Sequence, residues 1–144
     1  MAGLDEAILL AVKAHFGQRD KAGAPYILHP LRLMFRQNSE AARIAAVLHD
    51  VVEDTPVTLE QLRDAGFAEE ILAAVQLLTH DPMDTYDQYI AKLKTNPIAR
   101  AVKLADLEDN MRLERNASLT GRDWERLQRY HRAWKDLSAA QPVI

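Results

Sequence analysis

The chain has 144 residues, 48% of them hydrophobic and 27% charged, enough for a single domain, 1–144, with a buried core. A formal net charge of −3 argues against nucleic acid or an anionic membrane as partner, and the absence of cysteine excludes disulfides, thiolate catalysis and thiolate metal sites. The N-terminal MAGLDEAILLAVK puts acids ahead of a short apolar run, so it is no signal peptide; no run reaches transmembrane length, and a cytoplasmic location is the expectation.

Taken in chain order, almost every segment reads helical. Leu4, Ile8, Ala11 and Val12 recur at helical spacing and predict a helix over 4–16. GQRDKAGAPYILHP reads as a loop, and Pro30 suits the first turn of a helix running to about Gln37. A central helix is predicted over 39–53. Thr58 to Gln61 form a capping-box pattern opening a short helix that ends near Gly66, and 68–79 and 84–94 follow. Asn96-Pro97 pairs an N-cap with proline at the first position and starts a helix to about Arg115. The last helix spans 122–138, with Trp124 and Trp134 expected in its core and the tail QPVI frayed. No stretch alternates with the period of a strand, so the fold class is all-α, a compact bundle of several helices.

The central helix holds a conflict. Ile44, Val47, Leu48 and Val51 form one apolar stripe, while His49, Asp50 and Glu53 lie on the opposite side with Asp54 at its edge. Charges opposite a stripe usually mark a solvated face. Here the same face carries Ala46 and Ala42 one and two turns earlier, and AARIAAVL is apolar nearly all round, as in a helix buried on both sides. Three carboxylates and a histidine would then be buried with no lysine or arginine between Arg43 and Arg63 to pair with. Buried charges are costly unless paired or bound to a metal, and a divalent metal resolves the conflict.

Further ligands are sought among His and Asp residues in apolar or tightly turned settings. His29 stands at the junction of loop and helix in PYILHP. Asp106 sits in the apolar AVKLADLEDN, with Lys103 one turn back and Asn110 one turn on. On the residues alone His29 reads first as a cap of the helix that Pro30 begins, and Asp106 reads equally as a partner for Lys103. Two imidazoles and two carboxylates leave Mn, Fe and Zn all open. His15 falls on an apolar stripe and reads as a structural histidine. His80 and His131 read as surface or packing residues, and Tyr86 and Tyr89 as core.

The arrangement H…HD…D over separate helices resembles the HD-type metal phosphohydrolases. With their flanks included, AHFGQRDKAGAPYILHPLRL, AAVLHDVVEDT and VKLADLEDNMR resemble the hydrolase domain of the RelA/SpoT family over about residues 10–115. The resemblance implies one divalent metal, typically Mn²⁺, held by His29, His49, Asp50 and Asp106. It implies that Glu53 and Asp54 orient water and handle protons. It implies a phosphorylated purine nucleotide as substrate: guanosine tetra- or pentaphosphate, cleaved at the 3′-diphosphate to release pyrophosphate. Asn110 matches a residue near the nucleotide and Lys21 a basic residue of the substrate loop. Arg19, Lys103 and Arg112 are further candidates to offset phosphate charge.

Two departures stand out. Asp20 takes the place of a family arginine that stacks on guanine, with Arg19 one position back, and a carboxylate supplies no such stacking. LEDN replaces RLHN after Asp106. The metal and acid–base positions thus match more fully than those that recognise the base. Another 2′- or 3′-phosphorylated nucleotide is therefore the alternative substrate, and a non-catalytic alarmone sensor the alternative role. The length leaves no room for a synthetase domain, so alarmone synthesis is not expected.

Overall fold

The computed structural model describes residues 1–112 and 119–139. The all-α expectation holds: among the described residues there are nine helices and no strand, with one isolated bridge between Arg19 and Pro25. None of these helices is long and apolar enough to cross a membrane.

α1 (Leu4–Ala14) turns Ala7 and Ala11 fully inward, while Val12, expected on the inner stripe, is 39% exposed. The loop after it is shaped by its own polar groups. Asp20 Oδ1 accepts from the N–H groups of Ala22 (2.9 Å) and Ala24 (3.0 Å). Gly23 takes φ +85°, which a side chain would resist. Tyr26 N–H then donates to Gln18 O at 2.8 Å, closing the loop at the start of α2 (Leu28–Phe35).

α3 (Glu40–Leu48) is capped by Ser39, whose Oγ accepts from Ala42 N–H at 3.1 Å. Ala42 and the run Ile44 to Leu48 are buried, and α3 packs against α1, α2, α6 and α8. The prediction of a helix buried on both sides is correct. Its predicted extent is not: the helix expected over 39–53 breaks at His49-Asp50, and α4 (Val51–Asp54) is a separate single turn. The cause is local. The His49 ring takes the Ala46 carbonyl at 2.7 Å, competing with the backbone ladder, and Asp50 begins α4 at φ −104°, ψ 0°.

α5 (Leu59–Asp64) opens on the predicted Thr58–Gln61 capping box, and α6 (Glu69–Leu78) follows. α7 (Tyr86–Lys94) opens on a second box, Thr85–Gln88. α8 (Pro97–Asn110) starts where Asn96-Pro97 predicts, with Asn96 Oδ1 accepting from Ala99 N–H at 2.9 Å. The expected continuation to 115 stops at Asn110; positions 113–115 and the tail 141–144 lie outside the described residues. α9 (Gly121–Ala139) buries Ala133 and Leu137 and half-buries Trp134, whose Nε1–H donates to Glu108 at 3.0 Å. Trp124, expected in the core, is 54% exposed. Helical spacing puts it on the face opposite Ala133, away from the packed side.

Candidate metal centre and its cavity

α2, the His49-Asp50 break, α4 and α8 converge on a cavity of about 200 Å³ whose lining includes His29, His49, Asp50, Glu53, Asp54, Lys103, Asp106 and Asn110. Eight of the predicted residues thus meet in one place. His29, His49 and Asp50 each bring a ligand atom within 4.8 Å of the others. Asp106 Oδ1 lies 2.9 Å from His29 Nε2 and 3.6 Å from His49 Nε2.

The two imidazoles are oriented from behind. His29 Nδ1 is 2.6 Å from Asp109 Oδ2, and Asp109 is gripped by Arg32 through Nε (2.8 Å) and Nη2 (2.9 Å). Although burial pushes the Asp109 carboxyl up, His29 and Arg32 hold it well below the usual carboxylate range. His49 Nδ1–H donates to the Ala46 carbonyl, which leaves Nε2 as the nitrogen facing the acids. Nε2 is 3.0 Å from Asp50 Oδ2, yet it is buried with no aligned hydrogen-bond partner. A lone pair aimed at carboxylates is unfavourable unless a cation sits between them. Two imidazoles and two carboxylates with this unsatisfied nitrogen therefore fit a divalent metal ion. In its absence a proton takes the place of the cation. Burial disfavours the charged ring, but Asp50 and Asp106 hold His49 well above the usual histidine range.

The cation that the sequence did not offer near the central helix comes from α8. Lys103 Nζ pairs with Asp106 Oδ2 at 2.9 Å, and Asn110 Nδ2–H donates to Asp106 Oδ1 at 3.1 Å. The predicted shared face of the three is thus seen. At the rim Glu53 Oε1 accepts the backbone N–H of His80 at 2.7 Å. The Asp54 carboxyl is pushed up to about 6 by partial burial and by the charges of Asp50 and Glu53.

Arg19 and Lys21 line a neighbouring cavity of about 320 Å³, together with Asp20, Asp123, Arg126 and Leu127. The two cavities share Tyr26, Asn110 and Tyr130, so they adjoin. Arg112 is not among the residues lining either; its Nη1 is 3.3 Å from Asp109 Oδ1. His15 is buried, with Nδ1 3.0 Å from Gln18 Oε1.

Sequence reasoning missed Tyr26, Arg32, Asp109 and Tyr130. Tyr26 donates its hydroxyl to Asp50 Oδ2. Asp109 stands three residues after Asp106, a spacing that puts both on one helix face, and that was the available signal. The other three carried none: an aromatic in a loop, an arginine inside the short helix α2, and a tyrosine in a largely polar helix.

With fold and cavity in place, comparison with known proteins is specific. A family model described as HD domain matches residues 26–111, and the chain belongs to the HD domain family. It is similar to a guanosine-3′,5′-bis(diphosphate) 3′-pyrophosphohydrolase of Mus musculus, 33% identical over 90% of this chain and 79% of that one. It is also similar to a probable guanosine-3′,5′-bis(diphosphate) 3′-pyrophosphohydrolase of Synechocystis, 34% identical over 92% of this chain, and to the bifunctional (p)ppGpp synthase/hydrolase SpoT of Escherichia coli, 32% identical over 76%. The chain spans only 19% and 18% of those two proteins. A solved structure titled as a metazoan ortholog of SpoT that hydrolyzes ppGpp and plays a role in starvation responses superposes with a TM-score of 0.80. It is 25% identical, covering 95% of this chain and 85% of that one.

Proposed function

We propose that this chain is a metal-dependent pyrophosphohydrolase that acts on guanosine 3′,5′-bis(diphosphate), with water as co-substrate and GDP and pyrophosphate as products. The observation that carries this reading is the buried, unsatisfied Nε2 of His49 facing the Asp50 and Asp106 carboxylates, in a chain similar to 3′-pyrophosphohydrolases. We assign His29, His49, Asp50 and Asp106 as the ligands, and Mn²⁺ as the ion. Bound there, a divalent cation polarises a phosphate oxygen and lowers the pKa of water.

The chain's own groups do the rest. Glu53, held by the His80 N–H, takes the proton of the attacking water. Asp54, whose carboxyl is pushed up to about 6, holds a proton in only part of the population near neutral pH, and that fraction gives it to the 3′ oxygen as its bond to phosphorus breaks. Lys103 and Asn110 face the cleaved diphosphate from α8. Arg19 and Lys21, in the adjoining cavity, offset the charge of the 5′-diphosphate. The resulting unit is one HD domain, placed by this substrate in the cytoplasm.

One observation favours a second reading, the same chemistry on another 2′- or 3′-phosphorylated nucleotide. Asp20 is committed to the N–H groups of Ala22 and Ala24 and is no base-stacking group. The test is incubation of Mn²⁺-loaded protein with guanosine tetraphosphate, with products resolved by ion exchange and His49→Ala as control. GDP and pyrophosphate from the wild type alone are expected. Intact substrate with metal bound sinks the guanosine assignment and moves the assay to 2′- and 3′-phosphorylated nucleotides.

A further inference from the structure

Tyr89 does not belong to the ligand set, and its hydroxyl is spent on the carbonyl of Leu78 at 2.7 Å. Its ring, which lines the cavity, is nonetheless the surface against which the His80 imidazole and the Lys103 ammonium rest. The His80 imidazole stacks on it, with centroids 4.6 Å apart and planes 26° off parallel. The same imidazole donates from Nε2 to Asp84 O at 3.0 Å, so a ring face and a ring edge both fix His80. The backbone N–H of His80 is the donor that holds Glu53. Lys103 Nζ also lies over the ring, 5.2 Å from the Tyr89 centroid, and pairs with Asp106. A cation over an aromatic face is attracted to it, and a stacked imidazole loses freedom against it.

We propose that Tyr89 is a positioning residue, one ring that sets the Glu53 carboxylate through His80 and the Lys103 ammonium directly. The arrangement explains why DTYDQY places an aromatic at this point of α7: any apolar residue fills the space, but an aromatic face also orients an imidazole and a cation. The inference rests on the reading of Glu53 as the group that takes the proton from water.

The test pairs catalysis with a readout independent of turnover. Tyr89→Leu and His80→Ala are each made in the wild type and in Glu53→Gln. With guanosine tetraphosphate, Tyr89→Leu lowers kcat by about 10–100-fold. His80→Ala lowers kcat with KM unchanged. Neither substitution lowers kcat further in the Glu53→Gln background beyond the part that Tyr89→Leu owes to Lys103. Mn²⁺ affinity, measured by titration, stays within about twofold, because the ligand helices are untouched. In parallel, the His80 amide resonance is followed by ¹H–¹⁵N NMR. It moves in Glu53→Gln and moves the same way in Tyr89→Leu. An amide indifferent to either substitution, or His80→Ala losses that multiply in full with Glu53→Gln, overturns the inference. A wild type that leaves the nucleotide intact, while the amide still responds to both substitutions, defeats the functional reading and leaves the positioning in place.

Discussion

Asp54 and Asp109 show how one residue type does opposite things in one cavity. The Asp54 carboxyl is pushed up to about 6, so ionising it is harder in the fold than in the unfolded chain. The folded state then binds more protons between about pH 4 and 6, and stability from this group falls as pH rises across that window. Asp54→Asn is therefore expected to stabilise the metal-free protein at pH 7 but not at pH 4, while kcat falls. Urea unfolding in EDTA at the two pH values checks it, and an equal effect at both would count against the assignment. Asp109 has the reverse sign. Its pKa is depressed, so its contribution is present above the ordinary carboxylate range and is lost as pH falls below it. It also holds His29, and groups that orient metal-binding histidines commonly matter by about 10–100-fold in affinity. Asp109→Asn should weaken Mn²⁺ binding by that order in calorimetric titration, with the helical circular dichroism retained.

At the scale of elements, α8 brings Lys103, Asp106 and Asn110 to the cavity, and its start is fixed by the Asn96 cap. Asn96→Ala should cost about 1 kcal/mol in urea unfolding with KM unchanged, because a lost cap weakens the first turn and the polar face lies nearer the other end. That start was legible, since Asn-Pro is a local signal with a local cause. The Thr58–Gln61 box was legible for the same reason. The break at His49-Asp50 was not. Two helical pieces that continue with little change of phase keep the same apolar positions inward, so Val51 fits the stripe of Ile44, Val47 and Leu48 whether or not the ladder is continuous. What breaks it is a side-chain hydrogen bond to Ala46, which periodicity cannot register. Trp124 misled for a related reason: its size suggested the core, while its position on α9 turns it outward. The candidate ligands could be picked out because buried acids without cations are conspicuous. Tyr26 and Arg32 act through contacts between distant segments and leave no local mark.

For the whole molecule, the cavity gathers Asp50, Glu53, Asp54 and Asp106, with Lys103 the one lysine or arginine among its described lining residues, and the fold is expected to hold together better once a divalent ion joins them. Ligand that binds only the folded state at a hundred times its Kd adds about 2.7 kcal/mol. For a domain of this size that is a rise in Tm of about 5–10 °C with Mn²⁺, reversed by EDTA. Protons compete for the same nitrogens. Carboxylate neighbours raise both His29 and His49 despite their burial, so each, as a proposed ligand, would have to give up a proton to bind metal. Apparent Mn²⁺ affinity should therefore climb between pH 6 and 8. A scanning calorimetry series with and without metal at both pH values reads the two effects together, and a Tm indifferent to Mn²⁺ would remove the metal from this account.

The interruption between α3 and α4 has a bearing on engineering. A designer seeking thermal robustness would be drawn to heal it, replacing the neighbours of His49 and Asp50 with strong helix formers and recovering one continuous rod. In such a rod the Ala46 carbonyl would return to the main-chain ladder, and the imidazole at 49 would lose the acceptor that decides which of its nitrogens stays bare. Rigidity of the backbone and competence of the ligand compete here for one oxygen atom. Sequence libraries built around this segment should find the two traits traded against each other, with variants that keep both arising only where an acceptor for Nδ1 is supplied from elsewhere.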